Sequence, residues 1–473
     1  MSSPPRPSGV PKIPSIPSTP APLHIRTDPH SGRKYHASAA LPADTDLLGR
    51  CAPYSYTIWK RFRNEVCAEC WRYDGGRRAF LTRRDDEGLE LPSHSPSEQS
   101  CVGKRSNTAS VSAGLWFCDE RCQRTWISRE GAEVVDLLRQ LEAARQKKPK
   151  PKPKSDAKAQ EAVVIAPDTV ERAWVTLREK ERSPKEVRRW REVQLEDYEA
   201  DMARYVLLAL HGYHREQCNQ PSPQQSLVSR AEAETHSQSL SQTDAAAAGS
   251  EGGCDGRPEW ETFASLQSNE LQLLNACPEI LEHQTRIYQL LKGRFGSRVA
   301  ARSSAASSRS SLTPAPSPSS AQSHGDNALS PEDARAGEPS DTGSSTNLLS
   351  EPSLADLVTV ENVRTILGVD PGNSFGIWET PLMEESECLG FAVYPLASFF
   401  NHHCAPNVRK ERDGRTLRFL TTRPVEAGEE LCISYGHVET MDVRTRRQEL
   451  LEGWYFKCRC GRCTAEAGES PRT

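Results

Sequence analysis

Clustered cysteines near the end of the chain are the residues best suited to hold a metal ion. The motif CRCGRC contains three of them within six residues, namely Cys458, Cys460 and Cys463. Three thiolates leave a tetrahedral zinc ion one ligand short, and the earlier motif NHHCAPN, residues 401–407, offers Cys404 as the natural fourth ligand. We therefore predict a zinc site that joins the two motifs. Three incidental thiols are the alternative.

The histidines of NHHCAPN and a nearby tyrosine are candidates for a role other than binding this zinc ion. Adjacent side chains point apart, so His402, His403 and Cys404 can hardly all bind one ion. Downstream, ELCISYG predicts a strand whose buried aliphatic face also carries Tyr435, which would direct its hydroxyl inward at the end of the strand. An aromatic residue in that position is more often part of a core than catalytic, so both roles stay open.

A second set of cysteines lies closer to the start of the chain. CAEC and FCDERCQRTW provide two close pairs, namely Cys67, Cys70, Cys118 and Cys122. Each pair is one half of a four-thiolate zinc site, and tight cysteine pairs in an intracellular protein favour metal over disulfide. The loop between the pairs is longer than is usual for a zinc knuckle, and four free thiols are the alternative.

The elements that would carry these motifs indicate a mixed α+β fold. Short apolar runs such as TLRFLTTRPV predict strands. EVVDLLRQLEAARQ and YEADMARYVLLALHGYHRE have the spacing of helices. VTVENVRTILG also predicts a short helix, which we expect Gly368 to terminate. Pro- and Ser-rich segments separate these elements and are expected to be disordered.

Composition limits the classes of function. The 473 residues are 36% hydrophobic and carry 60 basic against 64 acidic side chains, a formal net charge of −4. This balance gives no overall field that would recruit nucleic acid or an anionic membrane. No apolar run approaches the ~18 residues of a membrane span, and the Pro/Ser-rich start lacks a signal-peptide core. We expect a protein of the nucleus or the cytoplasm with reduced cysteines. KKPKPKPK, Lys147–Lys154, is typical of an extended linker, with a nuclear import signal as the alternative.

Three motifs, taken in order, resemble a known family. NHHCAPN, GEELCISYG and CRCGRC are similar to the motifs of the SET-domain protein methyltransferases, which carry a zinc loop after the SET domain. The family's first motif is typically N-H-S-C-x-P-N, so that His403 takes the place of a serine. Upstream, SGRKYHAS resembles the opening cofactor loop of the SET-and-MYND branch, where Lys34 replaces a second glycine. NSF, residues 373–375, is a further match to this branch.

The resemblance implies S-adenosyl-L-methionine as the cofactor and a role for each matching residue. The implied cofactor contacts are Gly32, Arg33, Asn373, Asn401, His402, Tyr435 and Phe456. Phe375 and Trp454 would line the channel through which the target lysine enters, and Tyr435 would be the catalytic residue. The two zinc ions would be structural.

FCDERCQRTW also resembles the second half of a MYND finger, whose full form binds two zinc ions. This chain keeps the cysteines that match the first site, whereas the ligands of the second are missing and Cys101 stands alone. The resemblance therefore implies a degenerate finger with one zinc ion.

The function implied by the resemblance is protein-lysine N-methylation of histone or non-histone proteins, with no direct nucleic-acid binding and no membrane. A catalytically weak SET scaffold that serves as a zinc-containing protein-interaction module is the alternative, because Lys34 and His403 depart from the family pattern. A zinc-dependent transcription regulator would need a coherent basic face, for which only Lys147–Lys154 offers material.

The predicted organisation splits the SET fold into two parts. In chain order, we expect a disordered tail (1–22), the N-terminal part of SET (23–66), a degenerate MYND-like finger (67–126), a helix with a basic linker (127–160), a helical insert (161–299, with low complexity at 222–257), a disordered linker (300–352), the C-terminal SET core (353–440), a post-SET helix and zinc loop (441–465) and a tail (466–473).

Overall fold

A computed structural model describes residues 21–29, 32–73, 75–76, 111–146, 165–219, 260–296, 353–383, 385–436 and 438–468. Several predicted features lie outside these residues: most of the N-terminal tail, Cys101, Lys147–Lys154, the stretch 222–257, the linker 300–352 and the end of the C-terminal tail. Within the described residues, helices and short sheets alternate along the chain, which confirms the predicted α+β class.

Nine short strands make up the β-structure of the described residues. They are β1 (Leu23–Asp28), β2 (Gly32–Ala37), β3 (Ser55–Ile58), β4 (Ser374–Trp378), β5 (Cys388–Val393), β6 (Asn401–His402), β7 (Val408–Asp413), β8 (Thr416–Thr421) and β9 (Cys432–Ile433). The α-helices of the same residues are α1 (Glu120–Glu130), α2 (Glu133–Glu142), α3 (Pro167–Lys180), α4 (Pro184–Trp190), α5 (Asp197–Asn219), α6 (Trp260–Ala264), α7 (Glu270–Ala276), α8 (Ile280–Phe295), α9 (Leu354–Leu357), α10 (Val360–Asn373), α11 (Val443–Trp454) and α12 (Gly461–Glu466). None of these helices is both long and apolar enough to cross a membrane.

The central sheet has the antiparallel order β3–β5–β4. Its middle strand, β5, is buried along nearly its whole length, as its apolar run predicts. Gly390 is needed there, because a Cβ atom would lie 2.0 Å from the carbonyl oxygen of Thr57 on β3. β4 follows α10 without a gap, so that Asn373 and Phe375 lie where the helix meets the sheet.

Helix α5 connects the helical insert to the sheet. Residues 199–211 of this helix are buried, and the Ser55 hydroxyl on β3 donates to the carbonyl oxygen of Tyr205 at 2.7 Å. Asp201 on the same helix accepts hydrogen bonds from the buried Arg63 and Arg145. Because an unpaired buried charge is costly, this ion cluster fastens the segments before the finger and after α2 to the helix.

Helix α10 does not end where the sequence analysis predicted. It continues through Gly368 to Asn373 and includes Pro371 near its end. A Cβ atom at Gly368 would lie 2.6 Å from the Ser268 hydroxyl oxygen. The glycine therefore permits close packing against the segment before α7, and the prediction that it terminates the helix was wrong.

Segments that are distant in sequence meet around β6 and β9. These strands pair in parallel, Asn401 with Cys432 and His402 with Ile433. β2 lies beside them, because the backbone N–H of Leu431 donates to the carbonyl oxygen of Tyr35 at 2.9 Å. The start of the described chain, NHHCAPN and ELCISYG are therefore neighbours in space.

Candidate active site

The C-terminal cysteine cluster, formed by Cys404, Cys458, Cys460 and Cys463, joins two distant motifs. Its four sulfur atoms all lie within 4.8 Å of one another. Cys404 Sγ is 3.8 Å from Cys458 Sγ and 3.5 Å from Cys463 Sγ. Four thiolates at ~2.3 Å from a tetrahedral zinc ion would be about 3.8 Å apart, so the observed spacing fits that ion.

The environment of these thiols favours a bound cation. Burial raises the pKa of Cys404 to about 12, whereas a hydrogen bond with Cys458 lowers the pKa of Cys460. Four neighbouring thiols become thiolates together only when a cation offsets their mutual repulsion. Arg446 adds a positive charge, because its fully buried guanidinium lies 3.6 Å from Cys463 Sγ. The donor set therefore fits a structural zinc ion.

The finger cysteine cluster, formed by Cys67, Cys70, Cys118 and Cys122, has a similar geometry. Its sulfur atoms also lie within 4.8 Å of one another, with Cys118 Sγ 3.7 Å from Cys70 Sγ and 3.3 Å from Cys122 Sγ. Asp119 caps α1 by accepting the backbone N–H of Cys122 at 2.8 Å, which fixes that cysteine in the first turn of the helix. This cluster fits one four-thiolate zinc ion.

Tyr435 and His402 are joined by a hydrogen bond at the ends of β9 and β6. The backbone N–H of Tyr435 donates to His402 Nδ1 at 3.1 Å. Because Nδ1 accepts, the ring hydrogen of the neutral imidazole lies on Nε2. His402 Nε2 is 3.2 Å from Cys404 Sγ. Burial lowers the pKa of His402 to about 4, which favours this neutral form. The Tyr435 hydroxyl donates to the carbonyl oxygen of Phe400 at 3.0 Å, and burial raises the pKa of Tyr435 well above its usual value. The phenol therefore keeps its proton.

Two of the segments predicted to contact the cofactor share one carboxylate. Lys34 Nζ lies 3.0 Å from Glu430 Oε2, and Asn401 Nδ2 donates to Glu430 Oε1 at 3.4 Å. Gly32, two residues before the lysine, has a φ of +73° and open space where a Cβ atom would be. The ion pair with Glu430 therefore fixes Lys34 on β2, and the space beside the backbone of Gly32 is open.

Arg33 lies against the helical insert. Its Nη1 donates to the Ser265 hydroxyl at 3.1 Å, and its guanidinium lies 4.7 Å from the centroid of the Phe399 ring. These contacts fix the guanidinium. A direct contact between Arg33 and the cofactor stays a prediction.

A cavity of about 420 Å³ brings together four of the residues singled out from the sequence. They are Asn373, Phe375, Tyr435 and Trp454. The Asn373 side chain is fixed by hydrogen bonds from its Nδ2 to the carbonyl oxygens of Gln267 at 2.8 Å and Val369 at 2.7 Å. The Tyr435 and Trp454 ring centroids are 5.8 Å apart. The cavity therefore has aromatic walls and a polar corner.

The other predicted cofactor contacts do not line this cavity. Asn401 and His402 are half-buried, and the Phe456 ring centroid lies 6.0 Å from that of His402 and 6.1 Å from that of Tyr435. Tyr435 is therefore common to two groups, the aromatic cavity and the polar residues around His402. Half-buried polar groups beside an aromatic ring suit a nucleoside ligand, so these residues fit the implied cofactor.

The chain matches the family model described as SET domain over residues 155–436, which is more than half of its 473 residues. The chain belongs to the SET-domain family. This match confirms the family predicted from the three motifs, and it supports a methyltransferase. It spans the predicted helical insert (161–299) and most of the predicted C-terminal SET core (353–440).

Relatives that are named as SET proteins differ in how much of this chain they match. Potential protein lysine methyltransferase SET6 of Saccharomyces cerevisiae is 22% identical over 459 residues, which is 94% of this chain and 95% of the relative. A SET and MYND domain-containing protein of Dictyostelium discoideum is 37% identical over 107 residues, 23% of this chain and 26% of the relative. Histone-lysine N-methyltransferase ASHR2 of Arabidopsis thaliana is 34% identical over 142 residues, 28% of this chain and 35% of the relative. The chain therefore spans nearly the whole yeast relative but only a quarter to a third of the other two. The match to a SET and MYND domain-containing protein supports the predicted SET-and-MYND branch, and the finger cysteine cluster fits a degenerate MYND finger.

Three residues of the SET core were missed by the sequence analysis. Lys410 and Arg412 of β7 line the cavity, and Glu430 links Lys34 to Asn401. The two cations could have been found from strand alternation, because they share a face with the buried Val408. For Glu430 the sequence carries no comparable signal, since its partners come from distant segments.

Proposed function

We propose that this SET-domain chain is an S-adenosylmethionine-dependent protein-lysine N-methyltransferase, which methylates the side-chain amine of lysine in histones or other proteins. The observation that carries the proposal is the position of Tyr435, which both lines the aromatic cavity and is hydrogen-bonded to His402. The names of the yeast and Arabidopsis relatives, a potential protein lysine methyltransferase and a histone-lysine N-methyltransferase, support it.

The aromatic cavity would prepare the target amine. When bound, S-adenosylmethionine would supply a sulfonium methyl group that a neutral amine can attack in line, with the bond from sulfur to the methyl carbon breaking and the thioether S-adenosylhomocysteine as the leaving group. Free lysine has a pKa of ~10.4 and is charged at neutral pH. Burial of its amine among Phe375, Tyr435 and Trp454 favours the neutral form and excludes water.

Tyr435 would orient that amine as a hydrogen-bond acceptor. Its own hydrogen is donated to the carbonyl oxygen of Phe400, so its oxygen is left to accept an N–H from the amine. The position of the phenol is fixed by that bond and by the Trp454 ring. A fixed acceptor contributes by positioning the nitrogen lone pair.

The polar group around His402 would hold the cofactor. Asn401, His402 and Phe456 provide an amide, a neutral imidazole and an aromatic ring, and Gly32, Arg33 and Asn373 are further proposed contacts. Both zinc ions would be structural, and the one at Cys404 would hold the end of the chain next to this group. Zinc takes no part in the proposed transfer.

The proposal is tested by incubating the purified chain with methyl-tritiated S-adenosylmethionine and whole-cell lysate. We expect label in proteins, and methylated lysine as the labelled amino acid after hydrolysis. A chain that binds S-adenosylmethionine in calorimetry yet labels no lysine in lysate proteins or histones would contradict the proposed activity.

A catalytically weak SET scaffold that acts as a zinc-containing interaction module is the second candidate. Lys34 favours it, because a glycine at that position would let the backbone approach the cofactor more closely. Calorimetry with S-adenosylmethionine, together with the methyl-transfer assay, separates the two candidates. An enzyme binds the cofactor, whereas a scaffold that has lost its cofactor site produces no heat of binding.

A further inference from the structure

The inward side of β7 carries charge where strand alternation predicts apolar residues. Val408 on this side is buried, and the next two inward residues, Lys410 and Arg412, line the aromatic cavity. The outward residues pair among themselves, since Arg409 Nε lies 3.0 Å from Glu411 Oε1. These two side chains therefore face the cavity and not an apolar core.

Lys410 is the cation that the protein leaves available. Its Nζ lies 5.8 Å from the centroid of the Phe375 ring, and this ammonium group makes no ion pair or hydrogen bond with the described part of the chain. The residue is exposed at the edge of the cavity, yet the protein atoms around its amine lower the pKa of Lys410 by desolvation. Glu439 opposes that shift only from a longer range.

The other charged side chains of the cavity are less available to a bound peptide. Arg412 donates to the carbonyl oxygens of Gly414 at 3.3 Å and Trp378 at 2.5 Å. Of the two carboxylates in the lining, Glu379 accepts a backbone N–H at 3.5 Å and Glu439 is exposed. Lys410 is therefore the lining cation whose ammonium lies at the Phe375 ring without a carbonyl or carboxylate partner among the described residues.

We propose that Lys410 is a specificity-determining residue, which selects protein substrates that carry an acidic residue next to the target lysine. This inference rests on the proposed methyltransferase function. The target lysine must bring a positive charge past Lys410, and like charges placed together are unfavourable. A neighbouring Asp or Glu in the substrate removes the repulsion and adds an ion pair with Lys410.

The test is an array of peptides with a fixed central lysine and Asp, Asn or Lys at a neighbouring position. The full chain is assayed for transfer of labelled methyl groups to each peptide. We expect the wild type to prefer Asp over Lys by at least about tenfold. Lys410→Met should remove most of this preference, and Lys410→Glu should reverse it.

Arg409→Glu is the matched control, because it makes the same change of charge on the outward side of the same strand. It should keep the wild-type preference, and the melting temperature of each variant shows that it is folded. Equal transfer to the Asp and Lys peptides, or an unchanged preference in Lys410→Met and Lys410→Glu, overturns the inference and leaves the methyltransferase function intact.

Two further outcomes also decide the question. Methyl label on Lys410 itself, found by mass spectrometry of the chain, overturns the inference, because Lys410 would then be a substrate of the channel. Absence of transfer to every peptide and to every protein of a lysate contradicts the proposed function, and the inference falls with it.

Discussion

At the scale of single residues, His403 shows how a motif accepts an unusual side chain. His403 Nδ1 accepts the backbone N–H of Ala405 at 2.9 Å. A serine, which the family motif usually has at this position, can accept the same hydrogen bond two residues on with its hydroxyl. The exchange of serine for histidine therefore preserves the turn that presents Cys404 to its cluster. His403 is not evidence against a working site.

This explanation predicts different results for two substitutions. His403→Ala removes the acceptor and should lower the free energy of unfolding by about 0.5–1.5 kcal/mol, the value of one hydrogen bond. His403→Ser restores an acceptor and should recover most of that loss, with the zinc content unchanged. Urea unfolding and metal analysis measure both. Equal losses for Ala and Ser would show that the turn does not depend on this hydrogen bond.

At the scale of elements, the sequence predicted the types of the elements better than their ends. The helical spacing around Tyr205 and the apolar run of β5 reflect local periodicity, and both elements formed as predicted. Gly368 was misjudged because its role depends on Ser268, which lies far away in the sequence. Within ELCISYG the strand is limited to Cys432–Ile433, where it pairs with the equally short β6, and the preceding Leu431 is hydrogen-bonded to Tyr35 on β2.

The packing of α10 can be tested with a double-mutant cycle. Gly368→Ala places a Cβ atom 2.6 Å from the Ser268 hydroxyl oxygen and should cost about 1–3 kcal/mol, as for other overpacked positions. Adding Ser268→Ala leaves the Ser268 Cβ at 3.5 Å and the Glu270 Cβ at 3.9 Å, both ordinary contacts, so the double variant should be more stable than Gly368→Ala alone. The free energy of unfolding of all four proteins gives the coupling. Strict additivity would contradict a steric contact between the two residues.

At the scale of the whole molecule, the two cysteine clusters join segments that are far apart in the chain. Their ligands could be predicted from sequence, because cysteine pairing for zinc follows from number and spacing. The link from Lys34 through Glu430 to Asn401 could not, since it depends on which distant segments become neighbours. The roles of the site residues in catalysis and cofactor binding stay predictions.

Replacement of a zinc ligand tests whether a zinc ion joins the end of the chain to NHHCAPN. We expect two zinc ions per chain, and Cys404→Ser should retain one and lower both the melting temperature and the affinity for S-adenosylmethionine. Cys218→Ser is the matched control, because Cys218 is exposed and lies in neither cluster. Mass spectrometry of the metal content decides: two zinc ions in Cys404→Ser would refute the shared site.

The central claim, that Tyr435 orients a lysine amine for methylation, is tested most directly by Tyr435→Phe. Its control is Tyr205→Phe, which also removes a buried hydroxyl that donates to a backbone carbonyl, but outside the cavity. Single-turnover methyl transfer is measured with S-adenosylmethionine affinity and melting temperature alongside. We predict that Tyr435→Phe loses at least about 100-fold in transfer rate while it keeps its cofactor affinity and fold, and that Tyr205→Phe keeps its rate. Wild-type transfer by Tyr435→Phe would contradict the account.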